Sequence, residues 1–175
     1  AVAADALEIA PQVAAALGGR YVMQDEINRV GRVVVNDVSA KKRWELDFST
    51  YRGSIEQDLK RRDFTVDAMA FDLSRLAKGC TDLHLIDPFN GEADLRQGVI
   101  RMVSETAFQS DAVRLLRAVR LAAELGFSID IKTESQVRRY CHLLTRVAGE
   151  RVREELLRIL ALPGAGKFLA YLDEL

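Results

Sequence analysis

A chain of 175 residues is long enough to bury one full core or two small ones. Its 49% hydrophobic and 29% charged content is that of an ordinary globular protein. No apolar run approaches the roughly 20 residues of a membrane span and no signal peptide is visible, so a cytoplasmic protein is expected. A net charge of −1 excludes a uniformly basic nucleic-acid binder, but arginines crowd the stretch 101–158. An RNA-facing surface and ordinary solvated helix faces both account for that crowding.

Residues 5–17 place Ala6, Ala10, Val13, Ala14 and Leu17 at helical spacing, with Gly18 and Gly19 as a C-cap. Pro11 should kink this helix or mark its first turn. Residues 32–35 and 44–49 read as strands joined by a polar hairpin loop over 36–42. In the second strand Trp44, Leu46 and Phe48 alternate with Glu45, Asp47 and Ser49, so one face bears carboxylates. Ser54 and Gln57 form a capping-box pattern for a short helix that ends at Arg61 and Arg62, and a loop leads into 64–69. Residues 83–86 are a strand candidate stopped by Asp87-Pro88, with Asn90-Gly91 behind it.

Composition changes near Arg101. From Glu105 onward no strand signal appears, and Phe108, Ala112, Leu115, Val119, Ala122 and Ala123 form one apolar helix stripe that Gly126 ends. Residues 135–144 and 150–162 give further helices, the latter closed by Pro163-Gly164. The plan is α+β over 1–100 and all-helical over 101–175. Cys80 and Cys141 lack any metal-ligand spacing and read as reduced thiols.

Three groups of residues carry chemistry. Asp47 projects from the polar face of a strand, where a carboxylate suits Mg²⁺ in phosphoryl-type transfer, although an exposed strand aspartate is ordinarily just solvated. The segment 58–67 sets Arg62 to fork onto phosphate oxygens and Asp63 to accept from a ribose hydroxyl; an ion-paired helix end explains it equally well. Asp111 and Arg114 are expected at i, i+3 on one helix, with Arg117 a turn beyond. Their plain reading is an intrahelical salt bridge worth about 0.3–0.5 kcal/mol. The functional reading is that a carboxylate acceptor beside a guanidinium donor complements adenine and cytosine, which offer an amino donor next to a ring-nitrogen acceptor. Guanine and uracil present the reverse order and leave buried polar groups unpaired.

In chain order, these segments resemble motifs of the class II tRNA nucleotidyltransferase and poly(A) polymerase family. Residues 61–70, RRDFTVDAMA, resemble its RRDFTxNAxA motif. Residues 85–91 with Asp94-Leu95 and Ile100-Arg101 resemble its DPxxGxxDLxxxxIR element. Residues 111–117 resemble its EDxxRxxR base-reading motif, and 150–156 its ERxxxEL helix. Ser110 stands where the base-reading motif has Glu, and Asp67 where the ribose motif has Asn.

The resemblance implies a polymerase-β-like nucleotidyltransferase head, present in its later part over 1–100, and a helical neck over 101–175. It implies addition of AMP or CMP from ATP or CTP to an RNA 3′ end, expected to be that of tRNA, with Mg²⁺ and with no DNA or membrane partner. Asp47 takes the position of the family's third active-site carboxylate. Arg62 and Arg117 would position the triphosphate, Asp63 and Asp67 the ribose, and Asp111 with Arg114 the base. The family's opening Gly-Gly/Arg-Asp motif and paired aspartates are expected before Ala1, so this chain alone should not catalyse, and further helical regions are expected beyond Leu175. A noncatalytic RNA- or nucleotide-binding relative and a purely structural helical scaffold are the alternatives.

Overall fold

The structure, a computed structural model, describes residues 1–37, 41–74, 79 and 84–175. The chain divides into two compact units, Ala1–Asp58 and Leu59–Leu175.

The first unit is a helix on a three-stranded antiparallel sheet. Helix α1, Ala6–Ala16, starts at Asp5, whose carboxylate accepts from the Leu7 N–H. It ends in a Schellman turn: Gly18, at φ +62°, lets the Gly19 N–H reach the Ala14 carbonyl. Pro11 lies inside the helix rather than at its first turn. Ala6, Ala10 and Ala14, spaced by four, are buried, and these small side chains let the helix close onto Val33.

Strands β1 (Arg20–Asp25), β2 (Val30–Asp37) and β3 (Lys42–Ser49) follow in sheet order β1-β2-β3. The expected hairpin is present in the register Arg32↔Asp47, Val33↔Leu46 and Val35↔Trp44, with Asn36 and Lys42 inside the strands rather than in the loop. β1 has no counterpart in the sequence reading, because residues 20–25 alternate too weakly to stand out. Phe48 packs with Val33, whereas Trp44 on the same face is 53% exposed.

Helix α2, Ile55–Leu59, opens with the capping box that the sequence indicates. The Gln57 N–H donates to Ser54 Oγ, and the Ser54 N–H to Gln57 Oε1. The helix ends at Leu59, short of Arg61 and Arg62. In the second unit a 3₁₀ turn, Thr65–Asp67, follows, then β4 (Ala70–Phe71) paired with β5 (Leu85–Ile86). Leu83 and Cys80 lie outside the described residues.

The turn chemistry after β5 starts a helix, which the sequence reading lacked. Both carboxylate oxygens of Asp87 accept the first backbone N–H groups of α3 (Gly91–Gln97), from Gly91 at 2.7 Å and Glu92 at 2.9 Å. Strand β6, Val99–Ile100, pairs in parallel with β7, Ser128–Ile129. The latter corrects the expectation of no strand after Glu105; at two residues it is too short to leave a pattern.

The predicted single helix over 108–125 is two: α4 (Ala107–Ser110) and α5 (Arg114–Leu125). Asp111 breaks them apart in an extended conformation, φ −155° and ψ 102°, and its carboxylate accepts from the Val113 N–H. Gly126, at φ +69°, ends α5 as expected. Helices α6 (Ile131–Tyr140), α7 (Gly149–Leu160) and α8 (Ala165–Glu174) complete the unit, with a 3₁₀ stretch, Cys141–Arg146, after α6. Cys141 is an exposed free thiol. Phe64, Ile100, Phe108 and Leu115 are fully buried in one core with Ala118 and Val137. Among the described residues, no helix is long and apolar enough to cross a membrane.

Gly91 permits the close approach on which this unit depends: a Cβ there would sit 2.1 Å from the Thr65 carbonyl oxygen. Gly91→Ala therefore forces α3 off the 64–67 turn. It should cost about 1–3 kcal/mol, read as a lower urea midpoint at unchanged slope.

Candidate functional site

The segment that resembles RRDFTxN is fixed from both sides. The Thr65 N–H donates to the Arg101 carbonyl at 2.9 Å and the Val103 N–H to the Asp63 carbonyl at 3.0 Å, so Asp63 and Thr65 bracket a bridge between Phe64 and Met102. Thr65 Oγ1 donates to the buried Asp94 at 2.7 Å. Asp94 also accepts from Arg101 Nε at 3.0 Å, and Arg101 reaches on to Asp130. Asp87, Asp94 and Arg101, the polar residues of the DPxxGxxDLxxxxIR resemblance, thus tie the start of α3, Thr65 and Asp130 together.

The 61–67 segment meets the helix 50 residues away through two arginines. Arg117 Nε donates to Asp63 Oδ2 at 2.5 Å. Arg114 donates to the Arg61 carbonyl at 2.7 Å, and to the Ala107 carbonyl and Ser110 Oγ at 3.2 Å each. Ser110 thereby still supports Arg114 with an oxygen. Arg62 is exposed, in the turn after α2, with its N–H on the Leu59 carbonyl.

Asp111 and Arg114 do not form the expected intrahelical pair, because Asp111 lies outside α5. Its partner is Arg151 on α7, a bidentate contact at 3.0 and 2.7 Å. The geometry still sets a carboxylate acceptor and a guanidinium donor three residues apart at the start of α5, each braced from behind.

A second line of charge runs deeper. Glu155 on α7 accepts from Arg120 Nε at 2.5 Å and lies 3.9 Å from Arg117, and Arg120 also pairs with Glu124. Arg120 and Glu155 are only 6% and 7% exposed. The site list drawn from sequence contained neither, nor Arg151. The ERxxxEL resemblance held the only signal for Glu155 and Arg151, and nothing marked Arg120 off from its neighbouring arginines.

Asp63 is buried. Burial works to raise the Asp63 carboxyl, but the hydrogen bond with Asp67 and the Arg117 guanidinium outweigh it and hold Asp63 below its ordinary value. Asp67 goes the other way. Loss of water around its carboxyl, the hydrogen bond with Asp63 and that residue's charge push it up to about 7, although the residue keeps an exposed face.

Asp47 belongs to the first unit. It lies on the sheet face opposite α1, as expected, but Arg32 directly across the ladder grips both of its oxygens at 2.6 and 2.8 Å and takes Glu45 as well. Asp47 and Glu45 offer the hard oxygens that Mg²⁺ prefers. Among the described residues, however, no three His, Cys, Asp or Glu side chains are grouped to hold a metal. Asp47 offers at most one such ligand, and Arg32 holds both of its oxygens.

The two kinds of pairing differ in worth. Arg120→Ala strands Glu155 in the interior and should cost about 3–5 kcal/mol of stability in chemical denaturation. Arg151→Ala, which breaks an exposed pair, should cost less than about 1 kcal/mol.

The profile of the poly A polymerase head domain matches residues 22–101, and that of the probable RNA and SrmB-binding site of polymerase A matches residues 126–175. A CC-adding tRNA nucleotidyltransferase of Geobacter sulfurreducens is 42% identical over 154 residues, covering 87% of this chain and 33% of the relative. The Thermotoga maritima CCA-adding enzyme complexed with tRNA is 33% identical. It superposes at a TM-score of 0.81 over 98% of this chain and 40% of its own. A CCA-adding enzyme in complex with CTP, 32% identical, reaches 0.82 over 98% of this chain and 41% of its own. The chain spans about a third of the length of the curated relative. It belongs to the family of tRNA nucleotidyltransferases and poly(A) polymerases, with that family's polymerase-β-like head fold followed by a largely helical neck.

Proposed function

We propose that this chain serves template-independent addition of CMP and AMP, from CTP and ATP, to an RNA 3′ end, that of tRNA in the first place. Residues 1–100 are the later part of the catalytic head and 101–175 the neck that reads the incoming base. The protein acts in the cytoplasm. One observation carries the reading: Arg114 on the Arg61 carbonyl and Arg117 on Asp63 join two segments 50 residues apart into one cluster. That cluster holds cations suited to phosphates, a carboxylate suited to a ribose hydroxyl and an acceptor–donor pair suited to a base edge. The names of the relatives, with their CC- and CCA-adding activities, support the substrate class.

In this reading Asp111 accepts from the exocyclic amino group of adenine or cytosine, and Arg114 donates to the adjacent ring nitrogen. A guanine or uracil would bring a carbonyl to Asp111 and an N–H to Arg114, with both pairs left unmade. Arg151 occupies one edge of Asp111, and a carboxylate with about four lone-pair sites retains acceptors for the base. Arg62 and Arg117 hold the triphosphate; Arg117 spends its Nε–H on Asp63 and keeps other donors for phosphate oxygens. The remaining lone pairs of Asp63 accept from the ribose. Asp47 would be one ligand of a Mg²⁺ ion, which would supply charge neutralisation for the transfer.

A second reading, a noncatalytic nucleotide- or RNA-binding relative, draws on the Arg32 grip on both Asp47 oxygens. Two measurements separate these. In isothermal titration with Mg²⁺, ATP and CTP should bind and GTP and UTP should not, with binding lost in Asp111→Ala; equal binding of all four rejects base reading. In a transfer assay on tRNA ending before CCA, the intact protein should extend the RNA and its Asp47→Asn variant should not. Nucleotide binding without any transfer by the unaltered protein would favour the noncatalytic relative.

A further inference from the structure

The open face of the first sheet carries a groove that the site described above leaves unused. The ladder registers set three rows of side chains across this face: Val22, Arg32 and Asp47, then Arg20, Val34 and Glu45, then Asn36 and Arg43. With a rise of about 3.4 Å per residue, successive rows stand about 7 Å apart along the strands. The groove, about 420 Å³, is lined by half-buried Val22 and Val34 and by exposed Arg20, Asn36 and Arg43, beside the Gly18-Gly19 turn.

Its charge is one-sided. No carboxylate of the described residues lines it, although the chain as a whole carries 26 acidic against 25 basic side chains. The acids on the same face are already engaged: Arg32 holds both oxygens of Asp47, and Glu45 gives one oxygen to Arg32 at 2.6 Å and the other to Arg43 at 2.7 Å. Arg20 makes no ion pair among the described residues, and the Asn36 amide makes no hydrogen bond there. The Val13, Ala14 and Ala15 carbonyls at the end of α1 accept from the N–H groups of the turn, which blunts the helix's negative pole beside the groove.

Guanidinium donors at the rim, an amide that both donates and accepts, and a β-branched apolar lining suit the units of a single nucleic-acid strand, with phosphates on the arginines and sugar or base against the valines. In the reading above the triphosphate and the base fall to residues of the second unit, and the RNA end comes to Asp47. The strand behind that end then lies on the face that bears Asp47, where Arg20 stands one row and Arg43 two rows away from it. We propose that this groove is a subsite for the RNA strand just behind its 3′ end, with Arg20 and Arg43 on successive phosphates and Val22 and Val34 against the sugar or base. The subsite rests on the RNA-end reading, whereas the fit of the groove to phosphate does not.

The first measurement is RNA affinity of the intact protein without nucleoside triphosphate, for a tRNA ending in an unpaired CC and for the same tRNA cut back to its paired stem. Arg20→Ala should weaken binding of the first RNA roughly tenfold, lower its salt slope by about 1 and leave the second RNA unaffected. Its Tm should equal that of the wild type, because Arg20 is exposed and carries no ion pair. If Arg20→Ala lowers Tm, Arg20→Gln replaces it under the same expectations. Equal weakening for both RNAs marks a loss of general surface charge and overturns the proposal, as does unchanged affinity for both.

The second measurement is CTP affinity of the same variant, which separates the two sources of phosphate. It should match the wild type; weaker CTP binding with RNA binding intact assigns the groove to the triphosphate and overturns the RNA subsite. Nucleotide transfer is read apart from both. If the unaltered protein transfers nothing while Arg20→Ala still gives the selective loss of RNA binding, the transfer reading falls and the subsite stands.

Discussion

The second unit depends on a chain of ion pairs that runs from Asp63 through Arg117 and Glu155 to Arg120. It ties the 61–67 segment to α5 and α5 to α7. Three of its four members are almost fully enclosed, where charge is tolerated only when each group is matched. Such a network adds little net stability over well-packed apolar residues, yet it penalises every arrangement in which one member is misplaced. That penalty gives the site a defined geometry, and it leaves Arg117 with donors to spare at the edge of the network.

The elements around this chain work as braces. Gly91 lets α3 lie against Thr65, and Asp94 and Arg101 then hold Thr65 in place. Ser110 and two backbone carbonyls orient Arg114, and Arg151 orients Asp111. A base edge is read by direction as well as by charge, and side chains as long as arginine discriminate only when their rotamers are restrained. In the first unit Arg32 does the same for Asp47. There the brace holds both oxygens that the proposed metal ligand would have to offer.

Much of this was legible before any coordinates. The capping box at Ser54, the cap at Gly18, the hairpin of residues 32–35 with 44–49 and the end of α5 at Gly126 all follow from local rules, and the structure has them. Strand β1 and the two-residue strands β4, β6 and β7 left no pattern, being too short or too irregular for alternation to register. Asp111 was misplaced for a different reason. The apolar stripe from Phe108 to Ala123 keeps its helical phase across a break, so periodicity alone reads it as one helix. A carboxylate that prefers to bond the backbone N–H two residues on interrupts it.

By itself, the sequence determined the candidate acceptors, donors and turn formers of the four motifs. It also determined the α+β-then-helical plan, since residue type and local periodicity suffice for both. The tertiary structure alone decided which charges pair. Asp111 takes Arg151 rather than Arg114, Asp63 takes Arg117, and Arg32 takes Asp47. Ion pairing depends on distance and burial in space, and residues 15 to 54 positions apart have no spacing rule to announce that they will meet.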